Sequence, residues 1–198
     1  GADGDITFGN TVGAVQRLGA VTIANAADVT ATGTFGAASF TQGAGTGITD
    51  FQDAITTGVG NFAFTGNDLT ISSANPSTIA GSMTVTNAGT FTTGATADVT
   101  VNGGEFIQDG AGVNSLGGDI TSTTDGIAFA TAVTLTDAVA MTTGGGVDDD
   151  IVFTSTVDGT VVDTQTLALD SGADGDITFG DTVGAVQRLG AVTIANAA

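Results

Sequence analysis

Ile127-Ala128-Phe129-Ala130-Thr131-Ala132-Val133, Ile151-Val152-Phe153-Thr154-Ser155-Thr156-Val157 and Ile177-Thr178-Phe179-Gly180-Asp181-Thr182-Val183 are three copies of one frame, Ile-x-Phe-x-x-x-Val. The copies recur at intervals of about 25 residues. Successive residues of an extended chain point to opposite sides, so Ile and Phe of each frame share one face of a short strand. A second alternation often follows, as in Val21-Thr22-Ile23, Leu69-Thr70-Ile71, Val133-Thr134-Leu135, Leu167-Ala168-Leu169 and Val192-Thr193-Ile194. Its centre is usually Thr, a good strand former with a polar tip. Gly66-Asn67-Asp68, Asn102-Gly103-Gly104, Asp125-Gly126, Gly144-Gly145-Gly146 and Asp158-Gly159 are turn signals between strands. Weaker echoes of the frame fall at Thr34-Phe35-Gly36, Phe62-x-Phe64, Met83-x-Val85 and Glu105-Phe106.

Working outward, the frame belongs to a longer repeat. Residues 1–27 return as residues 172–198, an offset of 171, with Asn10 against Asp181 as the single mismatch. The chain therefore reads as one complete repeat, residues 1–171, and the start of the next, residues 172–198, within a longer tandem array. The first copy carries the frame as Ile6-x-Phe8-x-x-x-Val12. Seven intervals between Ile6 and Ile177 give a mean of about 24 residues, the length of one coil of a solenoid.

Short strands recurring at that interval predict an all-β parallel β-helix (a β-solenoid) of about seven coils per repeat, with apolar side chains stacked in interior ladders. Ile6, Phe8, Ile127, Phe129, Ile151, Phe153, Ile177 and Phe179 are the expected ladder residues. The rival is a string of β-sandwich domains, favoured by Val157-Asp158-Gly159-Thr160, which reads as a hairpin turn. A single Pro and the absence of Trp and Tyr favour the solenoid. Ile48 to Thr57 is the best helix candidate.

Composition narrows the chemistry. A hydrophobic fraction of 41% excludes a disordered tail. No apolar run is long enough for a membrane-spanning helix. Cys is absent, which excludes disulfides and thiolate metal sites. Lys and His are absent too, removing the usual general bases and Schiff-base nucleophiles. A net charge of −19 argues against nucleic acid and against anionic membranes as partners.

The Ile-x-Phe-x-x-x-Val frame, the run Asp174-Gly175-Asp176-Ile177-Thr178-Phe179-Gly180 and the Thr156-Val157-Asp158-Gly159 corner resemble the repeats of giant filamentous-haemagglutinin-like surface proteins. That resemblance implies a right-handed parallel β-helix, a bacterial protein that is secreted or held at the outer surface, and a role as adhesin or fibre. The secretion domain typical of that family is not in this sequence.

Candidate sites are few. Asp148-Asp149-Asp150 is the densest acidic cluster, to be read as an oxygen-ligand Ca²⁺ site or as a solvated corner. Asp170, Asp174, Asp176 and Asp181 lie close together, with Asp3 and Asp5 as the repeat equivalents of Asp174 and Asp176. Ala173-Asp174-Gly175-Asp176-Ile177-Thr178 is faintly similar to a Gly-rich Ca²⁺ repeat, but its apolar residue follows the Asp directly. Carboxylate pairs would be the machinery of a β-helical polysaccharide-degrading enzyme. Against that, the only cations are Arg17 and Arg188, one repeat position, expected to pair with a surface Asp or lie along apolar surface. Thr30-Ala31-Thr32, Thr84-Val85-Thr86 and Thr134-Leu135-Thr136 could form a flat hydroxyl face for ice or sugar, although their spacing is uneven.

The expected function is structural and non-enzymatic: a rigid segment of a repetitive extracellular fibre or adhesin. A carbohydrate- or cell-surface-binding module is the alternative. No cofactor is required, and Ca²⁺ or Mg²⁺ are the candidate ions. The expected partners are further copies, end to end and side by side, and a host or neighbouring-cell surface. Neither end carries a charged cap, so continuation or end-to-end stacking is expected. One repeat holds 18 acidic residues (the chain's 21 without Asp174, Asp176 and Asp181) and one Arg, a net charge of −17. Over about 34 Å of axis that density approaches the charge per ~1.7 Å of double-stranded DNA, so divalent cations are expected to screen and bridge fibres.

Overall fold

A computed structural model describes residues 4–198. The secondary structure of the described residues is twenty-three short strands, all paired in parallel. Each strand away from the ends hydrogen-bonds to a strand one turn earlier and one turn later, so the chain winds as a parallel β-solenoid of about nine turns of ~22 residues.

Three strands make a turn, and each belongs to one face. The first face stacks Ile6–Phe8, Val29–Ala31, Ile48–Phe51, Asp68–Ile71, Phe91–Thr93, Asn114–Leu116, Val133–Leu135 and Val157–Gly159. The second runs from the first half of Phe35–Gln42 through Ile55–Thr57, Ser77–Ile79, Val99–Val101, Ile120–Ser122, Val139–Thr142 and Thr166–Asp170 to Ala191–Ile194. The third starts at Leu18–Ile23, takes the second half of Phe35–Gln42, and continues through Phe62–Gly66, Met83–Asn87, Phe106–Gln108 and Ile127–Phe129 to Ile151–Phe153 and Ile177–Phe179.

Most strands are three residues long and buried at both ends with an outward centre, as the apolar-x-apolar frame requires. The inward residues form ladders. Phe129 and Phe153 stack with centroids 5.8 Å apart, and Phe153 and Phe179 at 5.3 Å. Ile127, Phe129, Ile151 and Phe153 are fully buried as expected, whereas Ile6, Phe8, Ile177 and Phe179 on the end turns are half-buried. The rival sandwich fails at its own marker: Val157–Gly159 pairs in parallel with Val133–Leu135 and forms no hairpin. The expected helix at Ile48 to Thr57 is two strands, Ile48–Phe51 and Ile55–Thr57. Phe51 and Ile55 are both fully buried, and each strand follows the period of two.

The turns are shorter and less regular than the expected seven coils. The shortest steps stack Phe40 on Val21 and Val133 on Asn114, and the longest stacks Leu169 on Met141. The difference has a structural source. Ile6 lies on the first face, paired with Val29, but its repeat equivalent Ile177 lies on the third, paired with Ile151. Val12 bridges Phe35 on the second face, while Val183 bridges Val157 on the first. Val21 sits on the third face against Phe40, and Val192 on the second against Leu167. The 171-residue repeat thus spans seven turns and two further faces, not a whole number of turns.

Candidate functional site

The acidic residues sit mainly at corners, and the geometry shows what they do there. Asp28, Asp68, Asp98, Asp119 and Asp150 each immediately precede an inward-facing strand residue. Each points a carboxylate oxygen along the axis to the backbone N–H of the residue stacked one turn later: Asp28 to Ile48 at 2.7 Å, Asp68 to Thr90 at 2.6 Å, Asp98 to Asp119 at 3.0 Å, Asp119 to Ala140 at 2.7 Å and Asp150 to Asp176 at 2.8 Å. Asn61 does the same for the N–H of Ser82 at 3.0 Å. A corner turns the backbone out of the ladder, so this N–H needs another acceptor. A carboxylate provides a charge-assisted hydrogen bond with the shortest side chain that reaches.

The Ca²⁺ candidates divide accordingly. Asp149 is buried and accepts the N–H of Gly146 at 2.6 Å within its own turn. Asp170 accepts the N–H of Gly172 at 3.0 Å and the amide of Asn196 at 3.1 Å. Asp148, Asp174 and Asp176 are exposed. No three acidic side chains among the described residues come together in a group that could hold a metal ion. Asp5 is exposed, Asp181 accepts the N–H of Thr182 at 2.7 Å, and Asp3 lies outside the described residues.

The two arginines of the repeat meet different surroundings. Arg188 makes a two-pronged exposed ion pair with Asp163, Nε to Oδ1 at 3.1 Å and Nη2 to Oδ2 at 2.8 Å. Asp163 is one turn back and also donates its backbone N–H to the carbonyl of Arg188. Arg17 lies along the backbone of Gly36 and Gly58 on later turns. The hydrogen bond from Arg188 holds the Asp163 carboxyl below the usual carboxylate range, and the amide of Asn75 and the N–H of Ala54 do the same for Asp53. A depressed folded pKa favours the folded state above the ordinary carboxylate range and loses that effect as pH falls through the folded value. Thermal unfolding followed from neutral to acid pH should therefore show a midpoint falling below the ordinary carboxylate range. Asp163→Asn should lower the midpoint at neutral pH slightly and flatten the acid fall by the same small amount, because the pair is exposed.

Sequence reasoning missed an interior polar column. Gln108, Asn87 and Asn114 are buried. Gln108 donates to Asn87 Oδ1 at 2.8 Å and to the carbonyl of Gly110 at 2.9 Å, and accepts from Asn114 at 3.2 Å and from the Thr131 hydroxyl at 3.1 Å. Asn87 in turn donates to the carbonyl of Gly89 at 2.9 Å. These amides supply donors to corner carbonyls that have no strand above them. The available signal was phase: Gln108 and Asn87 occupy inward positions of the frames Phe106-x-Gln108 and Val85-x-Asn87.

The Thr pairs of the sequence do not form one face, since Thr30 and Thr134 lie on the first face and Thr84 on the third, but other Thr residues line up. Thr56, Thr78, Thr100, Thr121 and Thr142 form one outward row on the second face, one per turn. Several depressions mark the described surface, among them one of about 220 Å³ over Met141, Asp170 and Thr193. A groove of about 550 Å³ crosses four turns over Gly45, Gly66, Asn87 and Ala111. A smaller one of about 160 Å³ sets Glu105, Asp125, Asp148 and Asp150 beside Ile107 and Val152. None of these is lined by an exposed aromatic ring, and among the described residues every Phe is buried or half-buried. No protein-family model, curated protein or solved structure matches this chain.

Proposed function

We propose that this chain is a structural, non-enzymatic segment of a long repetitive extracellular fibre or adhesin, a rigid spacer built from tandem copies of the 171-residue unit. The observation that carries the reading is the continuity of strand pairing across the repeat junction: Ile151–Phe153 pairs with Ile177–Phe179, and Thr166–Asp170 pairs with Ala191–Ile194, without a break. Strand Ala191–Ile194 is paired on one side, and a further turn of the same kind would pair the other. Three of the candidate carboxylates, Asp149, Asp150 and Asp170, are engaged by backbone N–H groups at the corners, which favours a scaffold. The likeness to filamentous-haemagglutinin-like repeats points to a bacterial outer surface, and the strong preference of parallel crossovers supports a right-handed winding. Copies associate end to end and side by side, and a host or neighbouring cell is the surface approached.

Seven turns and two faces at about 4.8 Å per turn make a repeat about 37 Å long. With a net charge of −17 per repeat, such fibres repel one another at low salt. Light scattering is expected to fall with EDTA at low salt and to rise when millimolar Ca²⁺ or Mg²⁺ is restored; unchanged scattering would remove the cation role and leave the charge as a solubility device. The spacer reading is tested by binding of the chain to immobilised polysaccharides and whole cells. No saturable binding is expected from the repeat alone, and saturable binding to a polysaccharide would replace it with the binding-module reading.

A further inference from the structure

Resting on the fibre reading, the register carries a second conclusion. We infer that in a tandem array each repeat is turned by one third of a turn about the fibre axis relative to the repeat before it. Every surface patch of the unit is then shown in succession on all three sides of the fibre. It returns to the same side at every third repeat, after twenty-three whole turns and about 110 Å.

Three independent pairs of equivalent residues give the same displacement. Ile6 and Ile177 fall on the first and third faces, Val12 and Val183 on the second and first, and Val21 and Val192 on the third and second. In chain order the faces follow first, second, third, so each equivalent lands two faces on. The local conformation does not change with the face. Gly13 and Gly184 both adopt positive φ, 72° and 68°, although one follows a second-face residue and the other a first-face residue. A corner of this solenoid is therefore specified by its own sequence and not by its azimuth. That holds because the three faces are built alike, from three-residue strands buried at both ends.

The physical reason for the shift lies in the core. A whole number of turns would put Ile177 over Val157 and Phe179 over Gly159. A step of that length is already used where Thr49 stacks on Val29 and Ile55 on Phe35, so the backbone does not forbid it. Instead Phe179 stacks on Phe153, with ring planes 6° apart, and extends the column that contains Phe129. A buried ring on a ring outweighs a ring over a glycine.

The consequence is an interaction surface with no privileged side. A patch that occurs once per repeat, such as the apolar row Ile107, Ala128 and Val152 on the third face, faces three directions along the fibre. A neighbouring fibre lying along one side meets the same patch every ~110 Å rather than every ~37 Å. Lateral association then grows in three directions, toward bundles rather than flat ribbons.

The chain contains no Cys, so cysteine pairs report the register directly. Stacked Cα atoms about 4.8 Å apart fall within disulfide range. Val152→Cys with Thr178→Cys should close under mild oxidation, as should the mid-chain control Thr100→Cys with Thr121→Cys, while Asp158→Cys with Thr178→Cys should not. Closure of the Asp158 pair instead would give a whole number of turns and overturn the rotation while leaving a continuous fibre. Closure of the control with neither junction pair would overturn the rotation and the continuous fibre together. In a chain of three repeats, gold labels on a single outward Thr121→Cys per repeat should appear by electron tomography at three azimuths. Labels in line on one side would contradict the inference.

Discussion

Phe40→Ala should destabilise the solenoid by about 3–5 kcal/mol. Phe40 is fully buried and touches three other rings, with centroids 5.6 Å from Phe35, 5.4 Å from Phe51 and 4.9 Å from Phe62. These rings come from two consecutive turns and all three faces, so one deletion loosens contacts both along and across the axis. Close-packed neighbours cannot collapse into the gap, because each is pinned by its own strand ladder. Phe179→Ala should cost clearly less, since that ring is half-buried and stacks on Phe153 alone. Denaturant unfolding of the two variants checks the order. Hydrogen exchange should place the loss for Phe40→Ala in the turns around residues 35–71, since stability in a solenoid passes mainly between neighbours. Equal losses for the two variants would mean that the rings do not form the column described.

Gln108→Ala should have an effect of similar size by a different route. Removal of the amide leaves Asn87 Oδ1 and the carbonyl of Gly110 without their donor, while Thr131 and Asn114 lose one acceptor each and keep the carbonyls of Gly112 and Ala132. Each buried polar group left unpaired costs about 1–3 kcal/mol, so a total of about 3–5 kcal/mol is expected after partial compensation. Gln108→Leu separates packing from polarity. It restores volume but no hydrogen bonds, and should rescue little. The neighbouring outward residue gives the control: Ile107→Ala should change stability by about 1 kcal/mol or less. Full rescue by Leu would show that the column is held by packing and that its hydrogen bonds contribute little.

The solenoid was legible where the frame was cleanest. Ile127, Phe129, Ile151 and Phe153 declared a strand face by their spacing of two and a turn by their recurrence, and both readings match the register. The turn length was not legible from the long repeat, because the count assumed that Ile6 and Ile177 share a face. The faces are so alike that an Ile-x-Phe strand is at home on either, and only the preference of Phe179 for Phe153 over Gly159 decides between them. The hairpin at Val157 misled because Asp158 and Gly159 are themselves strand residues here, Asp158 outward beside Thr134 and Gly159 inward beside Leu135. The stretch Ile48 to Thr57 looked helical because its two strands are separated by only Gln52, Asp53 and Ala54.

Of the candidate sites, the clustering of carboxylates was visible and their use was not. The pattern is simple once register is known: an Asp directly before an inward residue, as in Asp28-Val29, Asp98-Val99 and Asp119-Ile120, accepts from the turn above. Without register, the same residues read equally well as ion ligands or as solvated turns. The interior amides escaped because Gln and Asn are usually exposed, and only their phase within the strands marks them as inward. The Thr row was hidden for the opposite reason. Its members lie a whole turn apart along the chain, so each looked like an isolated Thr until the turns were stacked.

The central claim is that copies of the 171-residue unit continue as one stiff solenoid, and contour length tests it most directly. Chains of two, four and six repeats, measured by electron microscopy at low salt, should be unbranched rods that lengthen by about 37 Å per added repeat. Beads joined by flexible connections, or a length that grows irregularly with repeat number, would contradict it.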